Sequence, residues 1–483
     1  MPSFSRVIFL LHRYFGIGLG LVVTLWCLSG FVMMYVPYPE VSGEDNLKAS
    51  PYLNLSGCCQ VPGLDEFSDI RLNGARIVTW PSGPMLFLQG GNGGEYAIDL
   101  QTSEYVFEVT AEMAEANALQ YSREYGLSEE VDFLDVMDLD QWTVYNSYNS
   151  LRYFYRYQPR DGKGTILYVS AVTGEVVQHT DRAERAWNWV GAVIHWIYPT
   201  ALRQNQQAWF WTVVILSGLS LFLTITGIYI AIRYLQFGKN GKLSPYKGWG
   251  MWHHYLGLAF GIATLTWLLS GLLSMTPFSS LEGRSLASEA SIAQGGAFTF
   301  DAEIRESIRA LADSSIPADS IAVEYGFVDG RITAEVLSKT GERQRYNSAT
   351  WLPENLPLEH FSNLGQKIRP ETEISSQGWI EQEDSYYYAR RTDPYLPAYR
   401  VIYEDGERAY FDGVSGALVR YVDAPRQWNR WLYNGLHSLD FNNFIRQRPV
   451  WDILVLLLLA GVTAGSITGT WIGIRRLLPR GSK

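Results

Sequence analysis

The 483-residue chain is short of charge, cysteine and histidine. Charged residues are 18% of it, against roughly 25% in soluble domains. Its three cysteines form neither Cys-x-x-Cys nor Cys-x-x-Cys-His, which removes thioredoxin chemistry and covalent haem attachment. No dinucleotide fingerprint is present, because Gly16-Ile17-Gly18-Leu19-Gly20 lies inside an apolar run and precedes no βαβ unit. A nicotinamide or flavin domain is therefore not expected, and no nucleophile–base–acid arrangement points to hydrolysis. The formal net charge of −10 argues against nucleic acid as a partner. No low-complexity run appears, and an aromatic share of 14% disfavours disorder. Mean hydropathy near zero is too polar for a compact all-membrane transporter. The chain reads as a few membrane helices plus large polar domains, with roughly three domains expected from length.

Four windows free of charge are long enough to span: 14–39, 204–232, 248–281 and 453–474. About 20 apolar residues cross the hydrocarbon core as a helix, and a backbone in lipid must satisfy its own hydrogen bonds. The expected spans are about 9–36, 207–233, 251–276 and 451–474, in contact with membrane lipid. Outside 38–207 and 276–448 the basic residues are Arg6, Arg13, Arg233, Lys239, Lys242, Lys247, Arg475, Arg476, Arg480 and Lys483, against one acid, Asp452. The stretch 38–207 holds 23 acids and 11 bases, and 276–448 holds 25 and 18. The positive-inside rule places both termini and the 234–250 loop in the cytoplasm. The two acidic stretches then lie outside, in a periplasm or its equivalent. The first span has no small-residue cleavage site and reads as a retained signal anchor. Cys27 falls inside it as packing. Cys58 and Cys59 lie in an exported region whose oxidising environment allows a disulfide, although adjacent cysteines need a strained ring or an outside partner.

The sequence repeats at an offset of about 241. His12-Arg13-Tyr14-Phe15-Gly16, Gly20, Trp26, Leu28, Ser29 and Gly30 match His253-His254-Tyr255-Leu256-Gly257, Gly261, Trp267, Leu269, Ser270 and Gly271 without a gap. Trp187-Asn188 matches Trp428-Asn429. One inserted residue later His195 matches His437, Trp209 matches Trp451, Thr226-Gly227 matches Thr468-Gly469 and Arg233 matches Arg475. Each half is helix, exported domain, interfacial segment, helix, so the repeat is parallel with a pseudo-two-fold along the membrane normal. The expected organisation is a cytoplasmic N-terminus and first span (1–37), an exported domain (38–186), an interfacial helix and second span (187–235), a cytoplasmic loop (236–250), a third span (251–276), a second exported domain (277–427), and an interfacial helix with the fourth span and cytoplasmic C-terminus (428–483). Within the exported stretches 110–126 and 301–313 read as helices, with Asp301 an N-cap. The stretches 151–157, 164–170, 398–403 and 408–412 read as hairpin strands around Asp161-Gly162 and Asp405-Gly406 turns. Val172-Thr173-Gly174 and Val414-Ser415-Gly416 close each unit.

Five of the seven histidines lie at membrane boundaries: His12, His195, His253, His254 and His437. The repeat places one related pair at each face, His12 with His253 inside and His195 with His437 outside. Neutral imidazoles on facing helices can clamp an iron porphyrin, and ionisable residues at membrane depth are functional candidates. Gly16, Gly18 and Gly20 opposite Gly257, Ala259 and Gly261 leave room for a flat ring, although a glycine stripe also marks tight helix packing. His254 competes with His253 as ligand, lying ~100° round the helix; the repeat favours His253. His179 and His360 read as ordinary surface residues. Two aromatic clusters (Trp142, Tyr145, Tyr148, Tyr153, Tyr155, Tyr157; Tyr386, Tyr387, Tyr388, Tyr395, Tyr399, Tyr403) read as core packing or as an acceptor site, with Arg152, Arg156, Arg390 and Arg391 available to an anionic ligand.

His-Arg-Tyr-x-Gly in the first span, Trp252-His253-His254-Tyr255-Leu256-Gly257-Leu258 with Trp267-Leu268-Leu269-Ser270-Gly271 in the third, and Leu436-His437-Ser438-Leu439-Asp440-Phe441 before the fourth resemble the PepSY-associated transmembrane family over essentially the whole chain. The exported units with their Val-Thr-Gly and Val-Ser-Gly turns are similar to PepSY modules. The resemblance implies a membrane α-helical fold of four spans with two exported α+β PepSY-like domains, in a bacterial inner membrane. The family includes inner-membrane ferric-siderophore reductases, which resemble di-haem b-type cytochromes. It thus implies two haem b groups, with iron ligated by His12, His253, His195 and His437, and an oxidoreductase of the ferric-chelate reductase type. On this reading a quinol or a separate cytoplasmic reductase donates electrons at the inner haem. They pass to the outer haem and on to a ferric-siderophore or other periplasmic acceptor. The long exported regions differ from the most compact members. The alternatives are a membrane-anchored peptide-binding or protease-regulating PepSY protein without redox activity, and a transporter, against which four helices with little buried charge argue.

Overall fold

A computed structural model describes residues 4–63, 70–91, 93–236, 243–278, 282–389 and 394–478. Among the described residues four helices are long and apolar enough to cross a membrane: α1 (Phe4–Met33), α2 (Gln206–Arg233), α3 (Trp249–Ser274) and α4 (Val450–Leu477). The first begins five residues before the expected position 9, because Arg6 lies on an exposed or half-exposed first turn where its charge can reach the interface. It ends three residues early, ahead of Pro37 and Pro39, whose rings oppose a helix at the preceding residues. Asn205 starts α2 by accepting the Ala208 N–H at 3.0 Å. In the bundle α1 packs against α2 and α4, and α3 packs against the same two, so α1 and α3 face each other diagonally. Short segments cap it: helix Ala192–His195 packs on α1, and Leu436–Ser438 packs on α3. The tryptophans matched by the repeat act alike: Trp209 Nε1 donates to Trp196 O at 2.9 Å and Trp451 Nε1 to Ser438 O at 2.7 Å.

The second compact unit, Pro39–Arg182 with Gly283–Ala424, holds the sheets. Its strands are β1 (Arg71–Trp80), β2 (Gly83–Gly90), β3 (Glu95–Asp99), β4 (Val131–Met137), β5 (Phe154–Pro159), β6 (Ile166–Ser170), β7 (Val176–Thr180), β8 (Phe298–Thr299), β9 (Ser320–Val328), β10 (Arg331–Ser338), β11 (Arg343–Tyr346), β12 (Ile374–Ile380), β13 (Ala398–Tyr403), β14 (Arg408–Asp412) and β15 (Leu418–Val422). Two antiparallel meanders, β4-β5-β6-β7 and β12-β13-β14-β15, have the same order. Helix Ala111–Tyr125, N-capped by Thr110, buries Ala114 and Ala118 against Tyr157, Leu167 and Val169 of the first meander. Helix Leu358–Ile368 buries Phe361 and Leu364 against Tyr399, Val401 and Phe411 of the second.

The two exported domains expected from the sequence are not separate. β1 to β3 of one half and β9 to β11 of the other form a single sheet, β11-β10-β9-β1-β2-β3, with β8 on β1. The seam is antiparallel, pairing Ala75 with Tyr325, Arg76 with Glu324 and Ile77 with Val323. Ile77 and Val323 are fully buried there, packed with Ile304 and Ile308 of the helix that Asp301 caps. The two closing turns need glycine. Gly174 and Gly416 have φ of +69° and +78°, and a Cβ on them would meet Trp80 at 2.4 Å and Leu356 at 2.6 Å. Cys58 and Cys59 are bonded to each other and pack at the edge of the central core.

Candidate functional site

α1 and α3 carry His12 and His253 into the diagonal space of the bundle, with ring centres 6.2 Å apart and planes inclined by 30°. At the other end His195 and His437 also have ring centres 6.2 Å apart, but with planes at 75°. The repeat-matched histidines thus meet pairwise. Seventeen residues separate His12 from Ser29, which contacts His195, and the same number separates His253 from Ser270, which contacts His437. That is ~25 Å of helix between the two pairs.

The hydrogen bonds fix the tautomers. His12 Nδ1 lies 3.1 Å from Leu223 O, His253 Nδ1 3.0 Å from Gly465 O, and His195 Nδ1 3.2 Å from Trp26 O. A carbonyl oxygen only accepts, so Nδ1 carries the proton in each ring and Nε2 presents its lone pair. His437 Nδ1 lies 3.0 Å from Ser270 Oγ. That hydroxyl donates to Trp267 O at 3.0 Å and so accepts from Nδ1. Ser29 does the same between Trp26 O and His195. Thr226 and Thr468 stand 3.4 and 3.3 Å from Nδ1 of His12 and His253, each having donated to the same carbonyl as its histidine. Such outer partners orient a ring for a metal.

His254 is built the opposite way. Its Nε2 donates to Ala231 O at 2.8 Å and its Nδ1 accepts from Ser244 Oγ at 2.8 Å, in a site 5% exposed. Both nitrogens are engaged in tying the 243–248 loop and α2 to α3, so His254 has no lone pair to offer.

A cavity of about 290 Å³ surrounds the His12–His253 pair. Gly16, Gly20, Gly257 and Gly261 line it as expected, whereas Gly18 and Ala259 do not; the helical period turns those two away. Sequence reasoning missed the glycines of α4: Gly461, Gly465, Gly469 and Gly473, one every fourth residue, also line it. Their spacing was the signal available, since residues four apart share a face. Gly227 and Gly469 seat the histidines themselves, because a Cβ there would stand 2.7 Å from Cε1 of His12 and His253 respectively.

The other expectations fare differently. Trp142, Tyr148, Tyr157, Tyr387, Tyr399 and Tyr403 are buried core. Arg156 is committed to Asp135 at 2.6 Å and Asp140 at 3.4 Å, and Arg152 approaches Asp138 at 3.8 Å, so neither is held open for an anion. Arg390 and Arg391 lie outside the described residues. His179 is half-buried rather than a surface residue: its Nδ1 meets the Tyr121 hydroxyl at 2.7 Å, and burial lowers its pKa. His360 is likewise half-buried, against Phe361. Among the described residues no group of three or more His, Cys, Asp or Glu forms a metal cluster.

No curated protein matches the chain. The sequence model of the PepSY-associated TM region matches residues 9–476, from within α1 to within α4, and the chain belongs to that family.

Proposed function

We propose that the protein is a di-haem b-type transmembrane electron-transfer protein that reduces an acceptor outside the cytoplasmic membrane. The observation that carries this reading is the pair of facing imidazoles at each end of the bundle. Two metal–imidazole bonds of about 2 Å, each extended by about 1.1 Å to the ring centre, put ring centres about 6 Å apart; both pairs stand at 6.2 Å. His12 and His253 would hold one porphyrin iron, and His195 and His437 the other. When bound, such groups would supply one-electron chemistry, and a histidine held on each side would suit transfer rather than oxygen binding. The chain's own part is to hold Nδ1 protons on carbonyl or serine oxygens, keep Nε2 basic, and exclude water with apolar helices.

The two-fold internal repeat belongs to this reading, as does the orientation. Arg6, Arg13, Arg233, Lys247, Arg475 and Arg476 cluster at the start of α1 and α3 and the end of α2 and α4, which supports a reading with those ends in the cytoplasm of a bacterial inner membrane. The sheet-bearing unit is then periplasmic. Electrons come from a quinol or a separate cytoplasmic reductase, and the acceptor is a ferric chelate of the siderophore class, from which reduction to Fe(II) loosens hard-oxygen ligands.

Pyridine-haemochrome quantitation of the purified chain tests this: two haem b per chain are expected, falling to one in His195→Ala or His437→Ala. A colourless preparation from haem-replete cells would overturn the proposal and leave a membrane-anchored PepSY module. Loss of neither haem in both variants would refute the outer assignment.

A further inference from the structure

We propose that Arg13 and Arg476 bind the two carboxylates of the porphyrin held between His12 and His253, so that its acidic edge points toward the N-terminal end of α1. The inference rests on the reading above and adds an orientation that the histidines alone do not give, since an imidazole pair leaves the macrocycle free to rotate about its axis.

Three observations support it. First, Arg13 and Arg476 both line the cavity that holds His12 and His253, and the described lining includes no acidic residue. Among the described residues Arg13 Nε is buried without a hydrogen-bond partner, while its half-exposed side chain donates from Nη2 to the Tyr14 hydroxyl at 2.9 Å. A guanidinium at such a site pairs strongly with a carboxylate. Second, the helix register brings the two arginines together. α1 and α4 are antiparallel: a Cβ on Gly20 would meet Thr470, and one on Gly473 would meet Ile17 Cα at 3.5 Å. One turn further along each helix, toward the same end, come Arg13 and Arg476. Third, the arginines break the repeat. The positions matching them in the other half are His254 and Tyr234, and His254 is locked between Ser244 and Ala231. Among the described residues only one edge of the cavity therefore presents a pair of cations, and protoporphyrin carries both its carboxylates on one edge.

The test compares wild type, Arg13→Gln, Arg476→Gln and the two Lys variants as full-length purified chains. Haem stoichiometry and the two midpoint potentials are measured. Rebinding of iron protoporphyrin IX and of its dimethyl ester to haem-stripped protein is then followed by titration. Each Gln variant should weaken rebinding of the diacid at one site by about tenfold or more. It should also lower the potential of that haem alone, because removing a cation disfavours the reduced iron. Lys variants should retain most of both. The ester should bind that site weakly in wild type and equally weakly in the Gln variants. Equal affinity of wild type for diacid and ester overturns the proposal without any substitution, and unchanged diacid binding in both Gln variants does the same. A wild-type protein with no haem sinks the parent reading instead, and two haems with indifferent arginines sink only this one.

Discussion

Glu335, in β10, is 8% exposed and shares the Arg343 guanidinium with Asp412. Arg343 gives Asp412 two short bonds of 2.6 and 2.8 Å and Glu335 one of 3.2 Å. Burial therefore wins, and the Glu335 carboxyl is raised from 4.5 to about 7, Arg343 only partly offsetting it. A carboxyl that holds its proton more tightly folded than unfolded makes the fold lose stability as pH rises from about 4.5 to 7. Glu335→Gln removes that loss. Its melting temperature should match wild type near pH 4.5 and exceed it at pH 8, by up to about 3 kcal/mol of stability. Parallel wild-type and variant melting curves across that range would sink the claim. Nothing in the sequence around Glu335 marks it, because its burial comes from β9 and β11 on either side and from a carboxylate 77 residues away in β14.

The long helices were legible as elements because lipid demands about 20 apolar residues in a row. What escaped was how α2 and α4 seat the histidines of α1 and α3. Thr226-Gly227 and Thr468-Gly469 stood out only as matched pairs, and their purpose needs the neighbouring helix. A Cβ on Gly469 would sit 2.7 Å from His253 Cε1, and the ring has no room to yield without leaving Gly465 O. On the di-haem reading, Gly469→Ala should therefore drop haem content from two per chain to one, read by pyridine haemochrome, while Gly18→Ala, turned away from the cavity and with nothing within 4 Å of the new methyl, keeps both. Full retention in Gly469→Ala would show that the seat is not needed. The strands were less legible. The central pairs of the meanders, β5-β6 and β13-β14, advertised themselves by alternation and Asp-Gly turns, whereas the flanking β4, β7, β12 and β15 did not, and the seam between β1 and β9 joins residues some 250 positions apart and leaves no local pattern.

At the scale of the molecule, the histidine pairing was readable because an offset of about 241 aligns each ring with its counterpart; the same offset favoured His253 over His254, but the bonds that lock His254 to Ser244 and Ala231 were not readable. The two pairs are not equivalent. On the di-haem reading, planes at 30° and at 75° would split the iron d-levels differently. Electron paramagnetic resonance of the oxidised protein should show one rhombic low-spin signal and one with a single large low-field feature. His437→Ala should abolish the second; two identical rhombic signals would contradict the ring geometry. The shared central sheet also sets a timetable for biogenesis. The ribosome delivers β1 long before β9, and at 5–20 residues per second the 250-residue gap between Ala75 and Tyr325 lasts roughly 12 to 50 seconds. For that interval the newborn first half carries an open, apolar strand edge that invites aggregation. The first half's own strands leave that side of β1 unpaired until the second half arrives.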